Sequence, residues 1–341
     1  MIPLCQTLAL LPTPAVDGAT TCLLIEVDLA GRLEQNWPDD GISTMFTLPR
    51  SRLELGVSSA QYRGRVAFTA ARSGGLSSTT GINGEALVSE LQIAEAAWLG
   101  PGITLAAGLI DDPWVATGNT DWGLRAAAPV LSEAVGWLDR SDLGASAAWS
   151  ARSEVFAVIA TLTSGEGARY SERNNGKNTT IVLIGHPIPD RPEVLALSLL
   201  GRDGSRGLDS ARNHRAGARI TGSITPVRLG GEVLATWGVD GDIDRTPLGF
   251  SIWTEASLPL ALSVFGRLDQ TSEATADSTT STLRGGLTCR QGPLQVILGA
   301  ERTKADAQAV PVAGADSLSS STTAYVLVGI QQGGSVVLNP L

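Results

Sequence analysis

Charged side chains recur at every second position in several segments of this sequence, a spacing that could serve ions. In the segment 49–58, Arg52 and Glu54 share one parity, whereas Leu53 and Leu55 share the other. Guanidinium and carboxylate groups on one face of a strand can contact polar solutes, or they can pair with one another. The pattern therefore leaves two interpretations open, a charged pathway for solutes and a network of ion pairs.

The same parity rule predicts a larger set of residues on one enclosed face. Its members are Arg50, Arg52, Arg63, Arg65, Arg215, Arg219, Arg228, Arg267 and Arg284, together with Glu26, Asp28, Glu54, Asp142, Glu232, Glu255, Asp269 and Glu301. Opposed charges around a channel would set up a transverse field and tune which solutes pass. Because both signs are present, we expect weak ion selectivity.

Other chemistry has weaker support. Asp240, Asp242 and Asp244 in GVDGDIDRT have the alternate spacing of a calcium loop, but no Glu follows at the twelfth position, and an ordinary acidic loop explains them equally. His186 and His214 lack neighbouring ligand-like residues. No GxSxG, phosphate-loop or HExxH motif occurs, so we expect neither an enzyme nor a cofactor.

The composition excludes some classes of protein. The chain has 341 residues and a net charge of −9, with no basic block that could neutralise nucleic-acid phosphates. No apolar run reaches the roughly 18 residues that a membrane-spanning helix needs. The three cysteines are odd in number and form no CxxC pair, so we expect neither a disulfide framework nor a zinc site.

The elements that would carry the charged residues are strands. Period-two alternation recurs in segments of about 9–13 residues, the length of a tilted membrane-spanning strand. We predict strands at 22–33, 49–58, 61–72, 86–98, 102–110, 140–150, 153–163, 177–186, 192–202, 212–224, 227–239, 247–257, 259–269, 280–289, 292–301 and 321–332. Trp98, Trp149 and Trp253 lie at or near predicted strand ends, where rings can rest at the headgroup level.

Short and long connections alternate along the whole chain. The short ones are punctuated by Pro or Gly, as in Thr225-Pro226. The long ones are 34–48, 73–85, 111–139, 164–176, 203–211, 240–246, 270–279 and 302–320. This alternation predicts an all-β fold, a closed antiparallel up-and-down transmembrane β-barrel of about 16 strands with short periplasmic turns and long extracellular loops.

Five segments in the first part of the chain carry family motifs. They are PRSRLELGVSS (49–59), QYRGRVAFTAA (61–71), GITLAAGLIDDPW (102–114), LDRSDLGASAAWS (138–150) and TSGEG (163–167). In this order and spacing they resemble the phosphate-selective porins O and P, a family of sixteen-stranded outer-membrane channels. The likeness covers roughly 45–205, and beyond that only the rhythm of strands continues it.

The resemblance implies a bacterial outer-membrane location, a homotrimer and diffusion through a hydrated lumen. Phosphate selectivity in that family is attributed to Arg and Lys on the inner wall and the inserted loop. Here Ala106, Leu109 and Asp111 stand where the family places cations, and the chain has only two lysines. We therefore do not carry the phosphate specificity over.

The longest connection, 111–139, contains three tryptophans. It could fold into the barrel and narrow the channel, or it could lie over the rim as a lid. The candidate constriction residues are Asp111, Asp112, Trp114, Asp121, Trp122 and Arg125.

These observations predict three parts of the chain. Residues 1–20 form an N-terminal segment, periplasmic or left from export; 21–333 form the barrel, and 334–341 form a tail. The expected function is an outer-membrane porin through which small hydrophilic solutes or ions diffuse, with membrane lipid as its surroundings. Two alternatives stay open: a plugged or structural barrel that binds partners in an envelope complex, and a soluble all-β binding protein.

Overall fold

The alternating segments fold into strands that pair in sequence order and close on themselves. The computed structural model describes residues 21–38, 43–74, 85–151, 155–168, 175–206, 211–239, 244–273, 278–307 and 318–338. Sixteen of the described strands form one closed antiparallel barrel, and the first strand pairs with the last. The predicted fold class is therefore confirmed.

The strands differ in length around the barrel. Those of the barrel are β1 (Thr21–Pro38), β2 (Ser43–Ser58), β3 (Tyr62–Gly74), β4 (Glu85–Gly100), β5 (Ile103–Asp111), β6 (Ser141–Ser150), β7 (Phe156–Thr163), β8 (Asn178–Gly185), β9 (Ala196–Asp203), β12 (His214–Ile224), β13 (Val227–Trp237), β14 (Leu248–Leu258), β15 (Leu262–Glu273), β16 (Ser278–Gln291), β17 (Leu294–Ala307) and β18 (Leu318–Leu338). A small hairpin of β10 (Ser205–Arg206) and β11 (Ala211–Arg212) lies outside the barrel sheet. Two helices, α1 (Pro113–Trp122) and α2 (Leu131–Ala134), interrupt the connection between β5 and β6.

Each predicted strand overlaps one barrel strand, but several boundaries were wrong. The predicted connection 34–48 is mostly strand, because β1 continues to Pro38 and β2 begins at Ser43. Likewise β17 continues to Ala307, and β18 runs from Leu318 to Leu338, past the boundary drawn at 333. Backbone hydrogen bonds alone can sustain a strand. These extensions therefore do not require the alternation of apolar and polar residues from which strands are predicted.

A further boundary was wrong at the turn before β15, where we predicted a strand from 259. Leu260 and Ala261 have φ angles of 64° and 58°, the left-handed conformation that occupies tight hairpin turns. Leu260 is 87% exposed. The strand begins only at Leu262.

The two faces of the barrel wall differ in chemistry. In β2, Leu53 and Leu55 are 42% and 41% exposed, whereas Arg52 and Glu54 are 7% and 3% exposed. Large aliphatic side chains are exposed in the same way on the outer face of the other strands. An exposed apolar belt around a closed sheet is the surface that lipid requires, and the charged parity faces the enclosed side.

Aromatic side chains lie on the outer face near the rim that carries the short turns, which we call the short-turn rim; the opposite end is the long-loop rim. Trp98, Trp149 and Phe156 are 40%, 47% and 38% exposed, and the rings of Trp149 and Phe156 are 6.3 Å apart. The expectation for Trp253 was wrong, because it is 6% exposed and faces inward. Its partner is described below.

The cysteines depart from the sequence expectation. Cys22 is disulfide-bonded, and Cys289 is a free thiol. An odd cysteine count does not preclude one bridge. Among the described residues, no helix is long and apolar enough to cross a membrane.

Candidate functional site

The connection between β5 and β6 lies inside the barrel rather than over its rim. Asp112 caps α1, since its Oδ1 accepts hydrogen bonds from the N–H groups of Trp114 and Val115 at 2.9 and 3.0 Å. The helix ends at Gly123, whose φ of 70° is left-handed and whose N–H bonds back to Asn119. Pro at the start and Gly at the end fix the limits of this helix. We call residues 112–140 the inner loop.

The inner loop descends along the wall and returns. Near the long-loop rim, Asp112 pairs with Arg202 of β9. At the other end, the carbonyl of Gly123 accepts a hydrogen bond from Arg290, close to the turn after β16, at 2.7 Å. On the return, Trp137 reaches Arg215 at the long-loop end of β12. The loop therefore covers the inner face of β12 to β15 over the height of the barrel.

The ion pair between Arg219 of β12 and Glu232 of β13 contacts both limbs of the inner loop. Arg219 donates hydrogen bonds to the carbonyl of Trp114 at 3.0 Å and the hydroxyl of Thr117 at 3.2 Å. Its guanidinium stacks 4.0 Å from the Trp114 ring centroid and pairs with Glu232 at 2.9 Å. Glu232 in turn accepts the N–H of Leu131 at 3.1 Å. One ion pair thus holds α1 and α2 against the wall.

Other wall arginines bind the backbone of the inner loop in the same way. Arg215 donates to the carbonyl of Trp137 at 3.0 Å, Arg228 to Asp121 at 2.7 Å, and Arg267 to Pro129 at 2.7 Å. Charged donors make stronger hydrogen bonds than neutral ones. The sequence pattern assigned these arginines to the enclosed face, and they lie on that face. Their hydrogen bonds, however, go to the inner loop and not to a solute.

Apolar side chains on the charged parity mark where the inner loop packs. The ring centroid of Trp122 lies 5.5 Å from that of Trp253 and 6.1 Å from that of Phe265. Leu234 is another apolar residue on the charged parity of its strand, and its side chain is fully buried. These docking residues were missed from sequence, although their signal was present: apolar side chains at inward positions of neighbouring strands.

The opposite wall carries a separate ion-pair cluster on β2 to β5. Arg65 lies at its centre, 2.7 Å from Glu95, 2.8 Å from Asp111 and 3.7 Å from Glu54. Arg63 adds a second contact to Glu95 at 3.2 Å, and Arg52 pairs with Glu54. All of these side chains are largely buried, so most of their charge is satisfied within the wall.

A third group bridges β15, β16 and β17. Arg267 and Arg284 are directly opposite each other in the sheet. Asp269 accepts from Arg267 at 2.8 Å and also pairs with Arg284, which binds Glu301 at 2.7 Å. The carboxylates therefore separate two guanidiniums that would otherwise repel each other.

The remaining predicted residues are placed as follows. Glu26, Asp28 and Asp142 follow the inward parity of their strands, and Asp142 accepts hydrogen bonds from Ser164 and Gly165. The side chain of Arg50 lies outside the described part, as do Asp240 and Asp242, so the calcium prediction at Asp240, Asp242 and Asp244 stays a prediction. Within the residues that the structure describes, no group of acidic, His or Cys side chains could hold a metal. His186 contacts the carbonyl of Pro192, and His214 pairs with Asp203.

An open cavity of about 730 Å³ separates the inner loop from β4. Its charged and amide lining consists of Glu90 and Gln92 from β4 and Arg125, Glu133, Asp139 and Arg140 from the loop. Arg125 pairs with Glu133, and Glu133 also accepts the amide of Asn119 at 2.7 Å. The candidate constriction residue Arg125 therefore faces this space, whereas Trp114 and Trp122 are buried against the wall.

Asp121 at the tip of α1 has an altered acidity. Burial raises the pKa of its carboxyl above the ordinary value, although the charges of Arg219 and Arg228 act to lower it. Burial penalises the charged form of an acid.

The arrangement resembles known barrels in shape but not in sequence. No family model matches this chain, and no curated protein matches it. An anion-selective porin from Comamonas acidovorans has a TM-score of 0.65 at 10% identity, covering 92% of this chain and 100% of that one. The outer membrane channel DcaP of Acinetobacter baumannii gives 0.61 at 9% identity, covering 94% and 100%. A loop-deletion mutant of OmpT, an outer membrane protein of Vibrio cholerae, gives 0.60 at 13% identity, covering 92% and 99%. At such identities, these comparisons show the fold.

Proposed function

We propose that this chain is an outer-membrane porin, a passive channel for small hydrophilic solutes or ions. The observation that carries the proposal is the division of the wall into an exposed apolar outer face and a charged inner face beside an open polar cavity. Such a division suits a protein with lipid outside and water within. No reaction is needed, because solutes would move along the hydrated space that the inner loop leaves open.

The porin fold of the solved structures supports a bacterial outer-membrane location, with the short-turn rim toward the periplasm. We also propose a homotrimer; one OmpT structure of similar fold is described as a trimer form. The motifs in 45–205 support kinship with the phosphate-selective porins O and P. Phosphate selectivity is not part of the proposal, since Asp111, at a position where that family has a cation, binds Arg65.

The inner loop is proposed to constrict the channel. Replacing residues 116–134 by a short Gly-Ser linker removes Trp122, most of α1 and all of α2. We expect larger single-channel conductance in planar bilayers, because the ion path widens. An unchanged conductance would mean that the loop does not limit the flow.

Two measurements test the proposal as a whole. Unboiled and boiled samples of the full chain on a detergent gel should differ in mobility, as closed barrels resist unfolding by detergent alone. The purified protein in a planar lipid bilayer should then give discrete conductance steps. A freely soluble monomer would instead favour the soluble binding protein.

A second candidate function rests on the extent of the inner loop. Because the loop covers the wall from rim to rim, a plugged barrel that binds partners would share this architecture. Heat-modifiable mobility without conductance steps would favour that plugged barrel over a porin.

A further inference from the structure

We propose that the inner loop makes the channel prefer cations, by burying wall arginines and presenting carboxylates to the open cavity. This inference rests on the proposed porin function and adds the charge class of the solute. The presence of both signs on the inner wall had predicted weak selectivity without a sign. The inner loop determines whether cations or anions are preferred, because it determines which wall charges a solute contacts.

The arginines beneath the loop are withdrawn from the solute path. Arg215, Arg219 and Arg267 are 3%, 5% and 2% exposed. Each donates at least one hydrogen bond to a backbone carbonyl of the loop, at 3.0 Å from Arg215, 3.0 Å from Arg219 and 2.7 Å from Arg267. A guanidinium whose surface is covered in this way cannot coordinate a passing anion.

The surface that faces the open cavity has the opposite balance. The carboxylates Glu90, Glu133 and Asp139 line it, against the guanidiniums of Arg125 and Arg140. Both guanidiniums have carboxylate partners, since Arg140 lies 3.9 Å from the buried Asp111 and Arg125 is paired with Glu133. Rings and clusters of carboxylates favour cations in a narrow aqueous path. Among the lining residues that the structure describes, three carboxylates therefore face two guanidiniums, a negative balance that favours a small cation.

The inner loop also occupies hydrogen-bond donors of the wall arginines that could otherwise bind anions. Main-chain carbonyl oxygens of Trp114, Asp121 and Pro129 are the acceptors. These are the hydrogen bonds that a phosphate or carboxylate solute would otherwise receive from arginine.

Reversal potentials in a potassium chloride gradient test the proposal on the full chain in planar bilayers. The wild type should prefer potassium to chloride. Glu90→Gln should lower the potassium-to-chloride permeability ratio, and Arg125→Gln should raise it, each by about two- to threefold, the effect of one wall charge acting through water. Each variant must keep heat-modifiable mobility on a detergent gel.

Arg191→Gln is the matched control, since it removes the same charge as Arg125→Gln from an exposed pair with Glu193 at the short-turn rim. Its permeability ratio should stay at the wild-type value. A shift as large as that of Arg125→Gln would overturn the proposal, because a charge remote from the cavity would then act on the solute. Chloride preference in the wild type would overturn it as well.

Replacing residues 116–134 by a Gly-Ser linker gives an independent readout. Loss of Asp121 and Pro129, the backbone partners of Arg228 and Arg267, should expose these two arginines and move the selectivity toward chloride, whatever happens to the size of the conductance. A ratio that stays the same or moves toward potassium would contradict the inference. Absence of any conductance in the wild type would instead contradict the proposed porin function, so the two failures are distinguishable.

Discussion

Among single residues, Asp269 has the most demanding position in the wall. It lies between Arg267 and Arg284, which face each other across β15 and β16. Like charges opposite one another destabilise a sheet, so the carboxylate between them is what makes this register tolerable. Glu301 relieves only Arg284.

Asp269→Asn should destabilise the barrel by about 3–5 kcal/mol, the cost of leaving a buried charge without its partner. The measurement is the denaturant midpoint of unfolding from lipid vesicles. Asp306→Asn is the control, because the Lys304–Asp306 pair is half exposed and should contribute about 0–1 kcal/mol. Equal losses in the two variants would show that Asp269 has no special role.

At the level of elements, the inner loop depends on how α1 begins. Asp112 has two separate tasks, since Oδ1 caps the helix and Oδ2 pairs with Arg202. Capping requires only an oxygen acceptor, whereas the ion pair requires a charge. Substitutions can therefore separate the two contributions.

Asp112→Ala should fray α1, because losing an N-cap typically costs about 0.5–2 kcal/mol. We expect faster amide hydrogen exchange over 113–122 and noisier open-channel current. Asp112→Asn keeps the acceptor, so exchange there should remain closer to that of the wild type. If the two variants exchanged equally fast, the ion pair with Arg202 rather than the cap would hold the helix start.

For the whole molecule, the decisive property is the apolar belt on the outside of the closed sheet. Ile252, in the middle of β14, is 59% exposed, and Leu248, at the start of that strand, is 48% exposed. In water such a belt would favour aggregation. In a bilayer it is the favourable surface.

Ile252→Arg should hinder folding into lipid vesicles by about 2–4 kcal/mol, because it places a charge at the bilayer midplane, whereas Leu248→Arg near the interface should cost about 0–1 kcal/mol. The free energy of folding into vesicles measures both. A similar cost at the two positions would argue against a belt centred on the membrane. The pair shares strand, face and introduced charge, so depth is the only variable.

The sequence by itself determined the strands, their inward and outward parities and the alternation of short and long connections. These are local properties: a strand shows its two faces every second residue, and the tight turn at Thr225-Pro226 places Arg219 opposite Glu232. Strand ends were less accessible, since polar extensions such as 34–38 lack the clear alternation of apolar and polar residues from which a strand is predicted.

Only the tertiary structure decided what covers the inner face. Parity assigned Arg219 and Arg267 to the inside, but their partners Trp114 and Pro129 lie 105 and 138 residues away in the chain. Parity likewise placed Trp253 on the inward face with Glu255, but its aromatic partner there, Trp122, comes from a distant segment of the chain. Side-chain periodicity reports which way a residue points, whereas contact between distant segments depends on how the closed wall brings them together.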